Sequence, residues 1–318
     1  VSLHATITFV GKLTPCYVAS MSFRAKLLSE GMRRFGPTHT RGEPTDVVAL
    51  RAFLEASTKY MPRPKEVHFE PTEISGVCAE WVSLPGADEG RVVLYLHGGS
   101  YIAGSPRTHR NLTFRIARAA RARVLVLDYR LAPEHPFPAA VEDVLSAQRG
   151  LSSDTQLRLA WCGDSAGGGL MFAALRAASR EGVPLPCAMA ALSPWTDLAC
   201  AGASFGTNEA HESMLSMAQL RGASAMYCAG RAPDDPAISA AYGSFEAAPP
   251  CLVQVGQREI LLDDARAVVA RLGASGFAAE LEVWPDVPHV WHMFAPLLPE
   301  ARQAINRVGS FLSRHLER

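Results

Sequence analysis

Short apolar runs recur along the chain and alternate with longer segments of helical period. Arg91–Leu96, Arg123–Asp128, Leu157–Trp161, Cys187–Leu192, Cys251–Val255 and Ala279–Trp284 are runs of strand length. Thr108–Ala120, Ala139–Gly150, Ala166–Glu181, Asp263–Ser275 and Pro296–Leu316 lie between or after them and read as helices. Continuous apolar strands alternating with helices predict a mostly parallel sheet covered on both faces. Ahead of these, Glu66–Ile74 and Val77–Leu84 predict an antiparallel hairpin turning at Ser75-Gly76. The pattern predicts an α/β fold with roughly eight strands.

Two stretches break this rhythm. Residues 1–60 carry no strong strand signal, and Ser20–Arg33 and Asp46–Tyr60 read as helices. Thr45 or Asp46 can cap the second, whose apolar stripe is Val47, Leu50, Phe53 and Leu54. Gly36-Pro37 and Gly42-Glu43-Pro44 break the chain between them, and Pro62-Arg63-Pro64 ends helical structure. The second stretch is the interval of nearly sixty residues between the Cys187 and Cys251 strands. It holds a predicted helix, Leu215–Cys228, with Met217, Leu220, Met226 and Tyr227. An insertion of that length after a strand end is usually functional. Its methionines serve either as packing filler or as an adaptable binding surface.

Composition narrows the function classes. Lys plus Arg equals Asp plus Glu at 31 each, with no basic stripe, so nucleic acid is not an expected partner. Hydrophobic residues make up 48% of the chain, enough for one sizeable core over residues 1–318. The 7 cysteines are scattered and form no C-x-x-C pair, which points to free thiols in a reducing, cytoplasmic compartment. No apolar run is long enough to span a membrane, so no stable membrane insertion is expected. Lys12, Pro15, Arg24 and Lys26 interrupt the N-terminal apolar runs, so no signal peptide is expected.

The chemistry gathers at strand ends. Gly163-Asp164-Ser165-Ala166-Gly167 follows an apolar strand and precedes a helix, the G-x-S-x-G pattern of a nucleophile elbow. Strand and helix backbones pass close together at such a turn, which is why small neighbours are needed. His97-Gly98-Gly99-Ser100-Tyr101 ends an earlier strand. The N–H groups of Gly98, Gly99 and Ala166 can cradle an oxyanion, with His97 bracing the loop. His289, in the loop after the last strand, is favoured over His292 as the base, because His292 begins the next turn. Glu259 lies just past the Cys251 strand and is the favoured acid. Asp263 and Asp264 begin the next helix, where capping is the simpler role, with Asp263 the alternative acid. Asp164, at the elbow itself, points away from the far nitrogen of the imidazole.

Together these motifs resemble the hormone-sensitive-lipase-like, microbial family IV esterases of the α/β-hydrolase superfamily. The resemblance rests on His97-Gly98-Gly99, Tyr129-Arg130-Leu131-Ala132-Pro133-Glu134, Gly163-Asp164-Ser165-Ala166-Gly167-Gly168, Ser193-Pro194-Trp195-Thr196-Asp197-Leu198, Glu259-Ile260-Leu261-Leu262-Asp263-Asp264 and Pro288-His289. It implies a triad of Ser165, His289 and an acid, and oxyanion donors at Gly98, Gly99 and Ala166. It also implies a helical cap, built from about residues 1–60 and 199–240, with Tyr101, Met214 and Met217 at the substrate. The implied activity is hydrolysis of short-chain acyl esters, with no cofactor or metal, and a homodimer as the possible assembly. An amidase, a lactonase or a specialised esterase could use the same triad. The plant gibberellin receptors, which resemble this family, lack the histidine that this chain keeps at 289. Two departures stand out: Ser100 replaces the family's usual third glycine, and Glu259 stands where Asp is common.

Overall fold

The computed structural model describes residues 7–9, 23–35, 46–61 and 64–317. In chain order the elements are β1 (Ile7–Phe9), α1 (Phe23–Phe35), α2 (Val47–Ser57), β2 (His68–Ile74), β3 (Val77–Ser83), β4 (Asp88–Leu96) and α3 (Pro106–Ala120). Next come β5 (Ala122–Leu127), α4 (Ala139–Ser152), β6 (Arg158–Asp164), α5 (Ala166–Glu181), β7 (Met189–Leu192) and α6 (Ser204–Thr207). The chain ends with α7 (Met217–Cys228), β8 (Cys251–Gly256), α8 (Leu262–Ala274), β9 (Ala279–Trp284) and α9 (Pro299–Leu316). The strands form one 9-stranded sheet in the order β1-β9-β8-β7-β6-β4-β5-β3-β2. The pairings among β4 to β9 are parallel, and the β2–β3 hairpin and β1 add antiparallel edges.

Period-two alternation divides each central strand between two apolar layers. Leu94, Leu125, Trp161, Ala191 and Val253 face the layer containing α4, α5 and α8. Val93, Val124, Cys162, Ala190 and Leu252 face the layer containing α3 and α9. Ile305, Val308, Phe311 and Leu312 of α9 are buried there, so this face of the helix is spent within the chain. The six described cysteines are all unpaired. Among the described residues no helix is long and apolar enough to cross a membrane.

Several sequence expectations shift. β1 lies in the stretch read as strand-free: three residues paired on one side only are too short to show a period. The hairpin turns at Ser75-Gly76 as predicted. Asp46 is the cap of α2, accepting the Ala49 N–H at 2.9 Å. Of its predicted stripe, Val47, Leu50 and Leu54 pack on the core while Phe53 stays exposed. Gly36-Pro37 and Gly42-Glu43-Pro44 lie outside the described residues, as does much of the N-terminal part of the expected cap. α7 begins at Met217, not Leu215, because the Ser216 hydroxyl caps it. The last helix begins at Pro299, preceded by a separate 3-10 turn at Trp291–Phe294.

The register aligns Leu96 with Gly163, Asp164 with Leu192, Leu192 with Gln254, and Gly256 with Trp284. The carboxyl ends of β4, β6, β7, β8 and β9 therefore form one edge, and the loops that leave it converge. Truncating the fully buried Leu312 to Ala should lower stability by about 2–5 kcal/mol. The same change at the exposed Leu27 should stay within about 0.5 kcal/mol. Urea unfolding midpoints check the contrast, and equal losses would contradict the layer assignment.

Candidate active site

Ser165 sits between β6 and α5 with φ 51° and ψ −122°. A non-glycine residue there costs on the order of 1–3 kcal/mol and persists only when its neighbours fix it. Here the Ser165 N–H donates to the Leu192 carbonyl at 2.9 Å. Its carbonyl accepts from the N–H groups of Trp195 (2.9 Å) and Gly169 (3.1 Å). Gly167 lets α5 start against β4, because a Cβ there would collide with the Leu96 carbonyl.

His289, after β9, brings Nε2 to 2.9 Å from Ser165 Oγ. Its Nδ1 lies 2.7 Å from Glu259 Oε2. An ionised carboxylate only accepts, so Nδ1 carries the proton and Nε2 is left to accept from the Ser165 hydroxyl. Glu259 Oε1 accepts from Ser193 Oγ at 2.7 Å and from the Gly256 N–H at 2.5 Å. The Ser193 hydroxyl oxygen also accepts the Val290 N–H at 3.2 Å, tying the histidine loop to the end of β7.

The loop after β4 flanks the serine. The Tyr129 hydroxyl donates to the His97 carbonyl at 2.6 Å, and its ring stacks on His97 at 4.3 Å. Gly99 has φ +124°, a conformation that needs glycine. Among the described residues, the N–H groups of Gly99, Ser100 and Ala166 meet no acceptor. Gly98 differs from the expectation of a free donor: its N–H reaches Asp164 Oδ1 at 3.1 Å. Asp164 also accepts the Tyr95 hydroxyl at 2.6 Å and pairs with His109 Nε2 at 3.4 Å.

A family profile described as the α/β-hydrolase fold matches residues 93–293. An acetyl-hydrolase of Streptomyces hygroscopicus is 49% identical over 236 residues, covering 74% of this chain and 79% of that protein. An ethyl acetate hydrolase of Pseudomonas putida is 32% identical over 240 residues, covering 71% and 74%. A crystal structure of an esterase from the bacterial hormone-sensitive lipase family superposes with TM-score 0.88 at 44% identity, covering 94% of this chain and 100% of that one. The chain belongs to this bacterial hormone-sensitive-lipase family of α/β-hydrolases.

Tyr101 and Asp264 of this hydrolase depart from their expected places. Tyr101, expected at the substrate, is fully buried: its ring stacks on Tyr227 at 3.9 Å and tilts against Trp195. It is a packing residue between the loop after β4 and α7. Met214 and Met217 are half-buried, and Met217, the first residue of α7, packs on the core. His292 is buried against Gln254 Oε1 at 2.8 Å, away from Ser165. Asp263 is turned from the imidazole: it accepts the Ser204 N–H and pairs with Arg266. Asp264 does not cap α8 but accepts the N–H groups of Thr196 and Asp197, each at 2.8 Å. Sequence reasoning gave no role to Ser193, although it lies in a quoted motif, and missed Glu212, which lies in none. Among the described residues no group of three or more His, Cys, Asp or Glu side chains could hold a metal ion.

The pKa values of the histidines at the site shift in opposite directions. Burial, with His109 beside it, pushes the His97 pKa down to about 3, so it stays neutral. Burial likewise pushes His292 down to about 3. Burial also opposes the charge on His289, but the bond to Glu259 and its charge, then Glu212 and Asp164, outweigh it and raise the pKa above the ordinary 6.5. With His289 as the expected base it must be neutral to act, so its proton uptake is lost as pH falls through that raised value. The acid limb of kcat/KM should therefore inflect above pH 6.5. Glu259→Gln removes the charge and should move the limb down. A limb that stays in place in that variant would contradict the assignment.

Proposed function

We propose that this carboxylic-ester hydrolase cleaves short-chain acyl esters through an acyl-enzyme on Ser165. The observation that carries the reading is the unbroken run of hydrogen bonds from Ser165 Oγ through His289 to Glu259. Ser165 Oγ attacks the ester carbonyl carbon and its proton passes to His289 Nε2. The carbonyl electron pair moves to oxygen, where the N–H groups of Gly99 and Ala166 receive it. Gly98 adds to this cradle as far as its bond to Asp164 is shared. The tetrahedral centre then collapses, and the alcohol leaves with the proton from Nε2. Water repeats the sequence on the acyl-enzyme: it gives a proton to Nε2, and collapse returns that proton to Ser165 and releases the acid. Glu259 holds Nδ1–H throughout and stabilises the imidazolium.

The short-chain preference draws on the relatives named for acetyl and ethyl acetate hydrolysis. The family resemblance puts Met214 and Met217, half-buried on the insertion after β7, on the substrate side of the cap. The test is hydrolysis of p-nitrophenyl acetate, butyrate and laurate, with the matched acetanilide, by wild type, Ser165→Ala and Glu259→Ala. Acetate or butyrate should give the highest kcat/KM, and each substitution should lower kcat by roughly a thousandfold. A preference for laurate would overturn the chain-length claim, and faster anilide cleavage would make the protein an amidase. Near-normal turnover in either variant would overturn the role of that residue.

A further inference from the structure

Glu212 lies in the insertion between α6 and α7, in a segment that no motif marks, yet it is only 2% exposed. Its Oε1 accepts the N–H groups of Ser213 (2.8 Å) and Met214 (2.9 Å), and its Oε2 accepts the Ile260 N–H at 3.2 Å. Ile260 directly follows Glu259. From the same insertion, Asn208 Nδ2 donates to the Glu259 carbonyl at 2.9 Å. The single peptide group joining Glu259 to Ile260 is thus gripped at both ends, its oxygen by Asn208 and its N–H by Glu212. Ser204 Oγ adds a third tie, to the Ile260 carbonyl at 2.6 Å. A buried carboxylate is an expensive way to hold one loop, because its charge must be satisfied. It is an economical way to hold a loop and also set the potential beside it.

We propose that Glu212 is a positioning residue for the hydrolysis, holding the peptide of Glu259 and supplying, after Glu259, a second carboxylate to offset the positive charge of the His289 imidazolium. The proposal rests on the role given above to the Ser165–His289–Glu259 relay. The charged and titratable groups whose charge acts on His289 are Glu259 after β8, Glu212 from the insertion, Asp164 at the end of β6 and His292 in the following turn. A cavity of about 480 Å³ on the same side adds the Arg258–Asp286 pair, His211 and Glu30 of α1. Burial raises the Glu212 pKa and the charge of Glu259 adds to the rise, while the charge of His289 and the N–H groups of Met214 and Ile260 oppose it. The two groups therefore favour each other's ionised forms, and Glu212 supports the proton that His289 takes from Ser165.

The test compares wild type, Glu212→Gln, Glu212→Asp and Asn208→Ala on p-nitrophenyl acetate, with active sites titrated by the burst of nitrophenol. Glu212→Gln should lower kcat per active site by about 10- to 100-fold, the rate equivalent of one lost hydrogen bond to a charge. KM should change little, and the acid limb of the pH profile should move to lower pH. Glu212→Asp keeps the charge and should hold the limb near its wild-type position. Asn208→Ala loses the clamp without the charge, so kcat should fall while the limb stays. Wild-type kcat with an unmoved limb in Glu212→Gln overturns the proposal. Should Glu212→Gln not fold, wild-type kcat in Asn208→Ala together with a shifted limb in Glu212→Asp overturns it. A second readout does not depend on turnover. The far-downfield proton resonance of His289 Nδ1–H, assigned by its loss in His289→Gln, should move in Glu212→Gln. An unmoved resonance overturns the clamp even if the wild type proves inactive on esters, a result that would by itself overturn only the esterase reading.

Discussion

A carboxylate buried to 1% exposure must find donors for both oxygens or be expelled as a neutral acid, and Glu259 finds them from three strand ends. Ser193 comes from the end of β7, Gly256 from the end of β8, and His289 from the loop after β9. Satisfying one charge fixes where those loops lie. The imidazole is held in a single tautomer as a consequence, with Nε2 aimed at Ser165. The Val290 N–H closes the arrangement by binding the same Ser193 hydroxyl.

A second buried carboxylate organises the other side of the serine. Asp164 precedes Ser165 and gathers Tyr95, Gly98 and His109 around it. Burial raises its pKa, but the charge and hydrogen bond of His109 outweigh this and leave it below the ordinary value, so it is ionised. It holds the loop after β4 against the elbow from beneath. The two halves of the proposed site, proton acceptor and anion cradle, thus each hang on one buried anion, with the strained Ser165 between them. Ser100, where the family usually has glycine, carries φ 56° without losing its free N–H.

Much of this was legible in the sequence because it depends on local rules. Apolar runs of strand length set the parallel core, and Gly163-x-Ser165-x-Gly167 marked the elbow through the steric demand of a close strand–helix approach. Glu259 and His289, singled out by their position just past strand ends, lie within hydrogen-bond distance of each other. What stayed hidden depends on distant partners. Tyr101 reads as a loop aromatic near the substrate until Tyr227, far along the chain, stacks on it. Asp263 and Asp264 read as helix caps because nothing local reveals that Ser204, Thr196 and Asp197 compete for their oxygens. Glu212 has no pattern of its own, and its meaning arises only when the insertion folds back over the Glu259 loop. β1 was missed because three residues cannot show an alternation.

The central claim is that Ser165 carries the acyl group between two half-reactions. The most direct test is to quench a reaction with p-nitrophenyl acetate in acid during the burst and map the acetylated peptide by mass spectrometry. One acetyl group on Ser165, absent in His289→Ala, is the predicted result. Acetyl on a different residue, or steady turnover with no acetylated enzyme at any quench time, would contradict it.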